Sequence, residues 1–250
     1  MPLEREKMRN FSSTDQYRPQ QNALLAALPA DLLDRLANDL QLVPLELGEV
    51  LYESGETMSH AYFPIDCVVS LLYVMKNGES AEIAVVGNEG VIGIALFMGS
   101  ESTMSRAIVQ NAGHAFRLKA HVLKDEFRRG GALSRVLLMS ASALIAQMVQ
   151  TAACNRHHPV SQQLCRWILL SLDRLPVSRI SMTEKLIGNM LGIDIAEVSK
   201  EASVLEQAGL IQYKGGEITV LDRAGVEKRS CECYGAVKKE SDRLLSISID

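Results

Sequence analysis

The sequence predicts an α+β chain in three parts: an N-terminal β-roll, a long dimerisation helix and a C-terminal winged helix-turn-helix. Three observations predict it. Short β-prone runs separated by glycine turns fill residues 45–116. A stretch without Gly or Pro follows from Leu133 to Thr151, and a helix–turn–helix–hairpin pattern occupies residues 181–221. At 250 residues the chain exceeds the common single-domain size. An apolar share of 47% with 22% charged residues is that of a globular protein and excludes extended disorder.

Residues 1–20 are read as a flexible arm, because Ser12, Ser13, Asp15, Gln16, Pro19 and Gln20 carry no apolar period. An amphipathic helix with Leu24, Leu25, Leu28, Leu32, Leu33 and Leu36 on one face comes next, interrupted near Pro29. The runs Val50–Tyr52, Ala61–Phe63, Val68–Val74, Ala81–Val85, Arg106–Gln110 and His114–Leu118 are read as strands. Asn77-Gly78 is a hairpin-turn pair between two of them. Many short strands at this spacing predict a roll or barrel, not a parallel sheet.

In the long helix, Leu137, Ala141, Leu144, Met148 and Thr151 recur at alternating steps of four and three. Such spacing marks a coiled-coil seam, so these residues are expected to form a homodimer interface, or else to be buried within one chain. A second stripe, Leu138 and Ile145, is expected to pack against the β-roll. His157-His158-Pro159 then ends the helix, and Leu164, Trp167, Ile168, Leu170 and Leu172 begin a second, helical core.

Residues 181–209 carry the most specific signal. Ser181 through Glu184 fits a capping box that starts a helix running to Met190. Leu191-Gly192-Ile193 supplies the turn, and Asp194 with Glu197 opens a second helix that ends at Gly209. Ile211–Tyr213 and Glu217–Leu221, joined by Lys214-Gly215-Gly216, form the wing. A helix of this kind fits the major groove of duplex DNA with its first turns against the bases. The outward residues of the second helix are Ile195, Ala196, Glu197, Ser199, Lys200 and Ser203, while Thr183, Lys185, Lys200 and Lys214 are placed for phosphates. Overall charge gives this no help. The chain carries −4, and residues 156–230 hold ten Lys/Arg against nine Asp/Glu, so any basic face is local.

Over residues 22–245 the sequence resembles the Crp/Fnr family of bacterial transcription regulators. The resemblance rests on Gly48–Glu56, on Val86-Gly87-Asn88-Glu89-Gly90-Val91-Ile92-Gly93, and on Met190–Ile193 through Leu205–Ile211. It implies a cyclic-nucleotide-binding-like roll over residues 21–128, a dimerisation helix over 129–157 and a DNA-binding domain with a C-terminal helix over 158–250. The implied effector pocket contains Gly93, Ile94, Ser105, Arg106 and Ala107. Two departures from the cyclic-AMP-binding members make that pocket degenerate. Ile94 stands where those members have the ribose-binding glutamate. Ser105-Arg106-Ala107 stands where they have Arg-Ser-Ala, and a one-residue shift on a strand turns the arginine to the other face. Cyclic AMP is therefore not an expected ligand, and the effector is unspecified. In the reading helix, Ile195-Ala196 replaces the Arg-Glu pair of those members, so a different DNA site is expected, read largely through phosphates and shape. The cluster-binding cysteines of the family's oxygen-sensing branch have no counterpart in residues 1–66.

No cofactor and no metal are expected. Cys154, His157 and His158 lack a fourth ligand at suitable spacing, and Cys231 and Cys233, two apart on one predicted helix from Asp222 to Leu245, point to different faces. No nucleophile–base pair, phosphate loop or carboxylate pair suggests an enzyme. Residues 1–22 have no apolar signal core, and the run Val91–Met98 is too short to span a bilayer, so a cytoplasmic protein is expected. Expected partners are double-stranded DNA and a second copy of the chain, with RNA polymerase a further candidate. The rival readings are a small-molecule sensor without transcriptional output and a protein-interaction dimer with reduced DNA affinity.

Overall fold

The computed structural model describes residues 17–175 and 177–245. Most of the predicted arm, residues 1–16, lies outside them. Its last residues are packed: the Tyr17 ring lies 4.1 Å from that of His114, and its hydroxyl donates to Asp66 at 3.1 Å.

Helices α1 (Ala23–Ala26) and α2 (Ala30–Ala37) meet at Pro29, which caps the second. The six leucines of this segment face the first core. The β-roll is two antiparallel sheets. One has the order β1-β7-β3, from Gln41–Leu45, Gly113–Lys119 and His60–Pro64. The other has the order β2-β6-β4-β5, from Val50–Tyr52, Ser105–Asn111, Val68–Val74 and Ser80–Val86. Every strand predicted in the roll lies within an observed one. β1 went unread because Pro44 breaks its pattern and its residues are half-exposed at the edge of their sheet. The β4–β5 hairpin turns at Gly78, whose φ of 89° suits a residue without a Cβ.

Both faces of the four-stranded sheet are covered, which is why β4 reads as a nearly unbroken apolar run. Val69 and Leu71 point into the roll, while Val68 and Leu72 pack with the C-terminal domain.

After α3 (Ala120–Arg129), helix α4 (Ala132–His157) runs for 26 residues, about 39 Å at the usual rise. By length and composition it could cross a membrane, but its hydropathy has another source: it is apolar on two sides. Here the sequence-based assignment of the stripes is corrected. Leu137, Ala141 and Leu144 are buried in the roll's own core, and Thr151 is buried against the Arg166 guanidinium. The stripe left open is Leu138, Ile145 and Val149, exposed by 51%, 45% and 65%. With Ser142 and Ala152, also exposed, it continues at steps of four and three. Two stripes of the same period cannot be told apart by spacing; the roll took the leucine-richer one.

The C-terminal domain forms around α5 (Val160–Leu172), whose Trp167, Ile168 and Leu169 are fully buried. It adds the sheet β8-β10-β9 (Arg179–Ser181, Glu217–Val220, Ile211–Lys214) and helices α6 (Glu184–Leu191), α7 (Ile195–Gln207), α8 (Arg223–Arg229) and α9 (Glu232–Leu245). Two elements differ from the sequence-based expectation. Ser181 is not a cap: it pairs with Glu217 in β8, and Thr183 caps α6 by accepting from the Leu186 N–H. The expected single helix from Asp222 to Leu245 is two, because the chain leaves helical geometry at Ser230, the C-cap of α8.

The two domains are held together by polar contacts at the back of the roll. Arg174 donates to Glu89 at 2.6 Å and to the Leu170 carbonyl at 2.6 Å. A Cβ on Gly87 would lie 2.6 Å from the Arg174 Cβ, so that loop position must be glycine for the domains to approach. Beside it, Ser70 on β4 touches Glu82 at 2.6 Å and Gln110 at 2.9 Å, and Gln110 donates to Ser171 at 2.7 Å. All four are buried. Burial pushes the Glu82 carboxyl up to about 7.

Candidate nucleic-acid interface

Helices α6 and α7 are joined by Leu191-Gly192-Ile193. Gly192 has φ 70°, the left-handed conformation such a turn requires. A second glycine was missed in the sequence. A Cβ on Gly188 would sit 2.9 Å from the Ile193 carbonyl, so this mid-helix glycine allows the turn to fold back on α6. The readable signal was a lone glycine inside a helical pattern, which lowers helix propensity unless close packing requires it. Val198, Ala202 and Leu205 face inward and seat α7 on the domain core.

The opposite face of α7 is open. Ile195, Ala196, Glu197, Lys200 and Ser203 line it, with Ile195 exposed by 46%. Ser199 differs from the expectation: its hydroxyl donates to Glu184 at 2.7 Å, with the Ile195 carbonyl at 3.0 Å. That hydroxyl ties α7 to α6 and is not presented to a base. Thr183 at the start of α6, Lys185 on α6 and Lys214 at the end of β9 are exposed. The wing turns at Gly215 and Gly216, with φ 63° and 78°. It is pinned by the Tyr213 N–H donating to Glu206 at 2.7 Å and the Tyr213 hydroxyl donating to the Met182 carbonyl at 3.1 Å.

The even charge count of this half conceals an uneven placement. Arg166 and Arg174 are buried, and Arg223 is engaged with Asp173 and Glu227. The other seven, Arg156, Arg179, Lys185, Lys200, Lys214, Lys228 and Arg229, are exposed, and three of them stand on the helix-turn-helix and its wing: Lys185 on α6, Lys200 on α7 and Lys214 on β9.

In the roll, Gly93 has φ 102° and starts a short 3-10 turn, Ile94–Leu96. Ile94 packs against the core. Ser105 and Ala107 are buried, and Ser105 bonds the hydroxyls of Thr103 and Tyr52. Arg106 lies on the opposite face of β6, across from Leu72, and donates to Glu53 at 2.8 Å. Its charge is taken by Glu53, the residue after β2 of the same roll.

The cysteines are placed against expectation. Because α8 ends at Arg229 and α9 starts at Glu232, Cys231 escapes helical periodicity and turns toward Cys233. Both meet Cys154 and His158 from the end of α4. His157 is exposed.

A roll, a long connecting helix and a winged helix-turn-helix with an open reading face define a DNA-binding transcription regulator. Residues 42–129 match the model for the cyclic nucleotide-binding domain, and residues 162–229 match that for the Crp-like helix-turn-helix domain. Together these matches span more than half the sequence, and the chain belongs to the Crp/Fnr family of transcription regulators. Solved structures share the fold. FixK2 from Bradyrhizobium japonicum aligns with TM-score 0.66 at 16% identity, covering 77% of this chain and 98% of its own. The c-di-GMP responsive global regulator CLP from Xanthomonas campestris aligns with TM-score 0.60 at 14% identity, covering 77% and 99%. A Crp/Fnr transcriptional regulator from Thermus thermophilus aligns with TM-score 0.59 at 19% identity, covering 76% and 98%. No curated protein sequence matches the chain.

Proposed function

We propose that the protein acts as a cytoplasmic homodimer whose two α7 helices enter successive major grooves about 34 Å apart. The observation that carries this is the open face of α7, which carries the exposed Lys200, with exposed Lys185 on α6 and Lys214 on the wing. Affinity comes mainly from phosphates. Base contacts are few: Glu197 toward cytosine, and Ile195 or Ala196 against a thymine methyl. Three lysines per protomer make six phosphate contacts per dimer. By counterion release the observed binding constant should fall with salt at a logarithmic slope of roughly −5. Lys200→Ala, removing two contacts per dimer, is expected to lower that slope by about 2 and to weaken all sequences alike. Electrophoretic shifts of promoter DNA across a salt series measure both. A salt-independent complex, or none, would favour a protein-interaction dimer.

The roll is assigned to an effector other than cyclic AMP. Ile94 offers the ribose no acceptor, and Arg106 is paired with Glu53 away from the buried Ser105. Cyclic AMP at millimolar concentration is expected to leave the melting temperature unchanged. A ligand at a hundred times its Kd stabilises by about 2.7 kcal/mol, which a thermal scan detects easily. A rise of several degrees with cyclic AMP would overturn this assignment.

A further inference from the structure

Four donor groups from two distant stretches of chain converge at the junction between α4 and α9. Cys154 lies in the last turn of α4, and His158 caps that helix four residues later, on the same side. Cys231 and Cys233 come from the α8–α9 break. The ligand atoms of all four lie within 4.8 Å of one another. The Cys154 and Cys231 sulfurs are 3.5 Å apart, and His158 Nδ1 is 3.5 Å from the Cys233 sulfur. A tetrahedral zinc ion with its usual bond lengths to sulfur and nitrogen separates its ligands by roughly 3.5–3.8 Å.

Buried cysteines are ordinarily small core fillers. Three features set these apart. The three sulfurs form a buried cluster of their own, separate from both apolar cores. The outer nitrogen of His158, Nε2, lies 3.3 Å from the Glu232 carboxylate, the arrangement that fixes a metal-bound imidazole with its other nitrogen facing the ion. Three thiolates around Zn²⁺ leave one net negative charge, and a buried cation stands beside the cluster: Arg166 donates to Thr151, three residues before Cys154 on α4, at 3.3 Å. None of Cys154, His158, Cys231 and Cys233 falls within either matched domain model.

We propose that Cys154, His158, Cys231 and Cys233 bind one zinc ion per chain in a closed tetrahedral site that fastens α9 to the end of α4. Four protein ligands leave no open position, so the ion is structural. It holds the point from which the DNA-binding domain departs, just before Pro159.

The test is a titration of the reduced, metal-free full chain with cobalt(II) chloride. Expected are one equivalent bound, sulfur-to-cobalt charge-transfer absorption with the intense visible bands of tetrahedral cobalt, and loss of both on adding zinc chloride. Cys231→Ser and Cys233→Ser should abolish the tetrahedral spectrum, while Cys67→Ser and Cys165→Ser should retain it. Glu232→Gln should raise the zinc Kd roughly 10-fold to 100-fold. If a ligand variant fails to fold, the wild-type titration decides by itself. The proposal is overturned if the reduced wild type takes up no cobalt at micromolar concentration. It is equally overturned if cobalt binds only with the weak spectrum of an octahedral site, or if the four residues serve only as a Cys154–Cys231 redox pair that takes up no metal once reduced.

Discussion

Val149→Glu, alone or with Ile145→Glu, is expected to convert the dimer to a folded monomer and to weaken binding to a two-half-site operator by about 100-fold or more. Leu138, Ile145 and Val149 are the large apolar side chains that α4 leaves exposed, and their spacing is that of a two-helix seam. In the proposed dimer a carboxylate at Val149 would face its own symmetry mate across the twofold axis, so each dimer would bring two like charges into an apolar interface. The loss on DNA exceeds the loss of contacts. Two linked half-site contacts gain roughly 10²–10⁴ in avidity over one, and a monomer forfeits that factor. The control is Leu137→Ala on the other stripe. Leu137 is fully buried in its own chain, so truncation should cost about 2–5 kcal/mol of stability without changing the oligomeric state of the folded fraction. Sedimentation and operator shifts on the three variants separate the stripes. A dimeric Val149→Glu with a monomeric Leu137→Ala would restore the seam read from sequence.

That exchange of stripes shows where the sequence was legible and where it was not. Local grammar was clear. The Asn77-Gly78 turn, the Gly192 turn and the Gly215-Gly216 wing each depend on residues a few positions apart, and each stands where it was read. The strands of the roll were equally plain, because β-branched runs between glycines admit few other readings. What failed depended on distant partners. Which apolar face of α4 meets the roll is decided by the shape of a sheet far away in sequence. Ser199 reads as an outward reading-helix residue until Glu184 takes its hydroxyl. The cysteines were dismissed by helical periodicity, a rule valid only if Cys231 lay on a helix. The chain breaks at Ser230, and the rule does not apply there. Arg166 and Arg174 count as cations in the sequence yet are buried, so a charge tally overstated what DNA could meet.

Glu82→Gln is expected to flatten the pH dependence of stability and to raise the melting temperature at pH 8 by several degrees. Glu82 lies on β5 where the sheet meets the DNA-binding domain. It faces Ser70 on β4, Met190 on α6 through that serine, and the charges of Arg166 and Arg174. Desolvation is the largest influence and raises its pKa from 4.5 to about 7; Ser70 and the two arginines oppose it and do not prevail. Ser70 has one proton for two acceptors in reach, Glu82 Oε2 at 2.6 Å and Gln110 Oε1 at 2.9 Å, so its support of an ionised Glu82 is shared. The sign follows. Between pH 4.5 and about 7 the folded protein keeps a proton that the unfolded chain has lost, so stability is greatest below 4.5 and declines as pH rises to 7. A shift of this size is worth about 3 kcal/mol, fully lost above about pH 7. Glutamine donates to Ser70 from its amide and does not titrate, so the variant keeps that stability at every pH. The ionised form is also better solvated if the two domains part. Raising pH through 7 in the wild type should therefore lower hydrogen-exchange protection of β5 and α6 before the rest of the molecule. Melting curves and exchange at pH 5, 6.5 and 8 provide the measurement. Parallel profiles for wild type and variant would mean that Glu82 is already ionised at neutral pH, its charge held by Arg166 and Arg174.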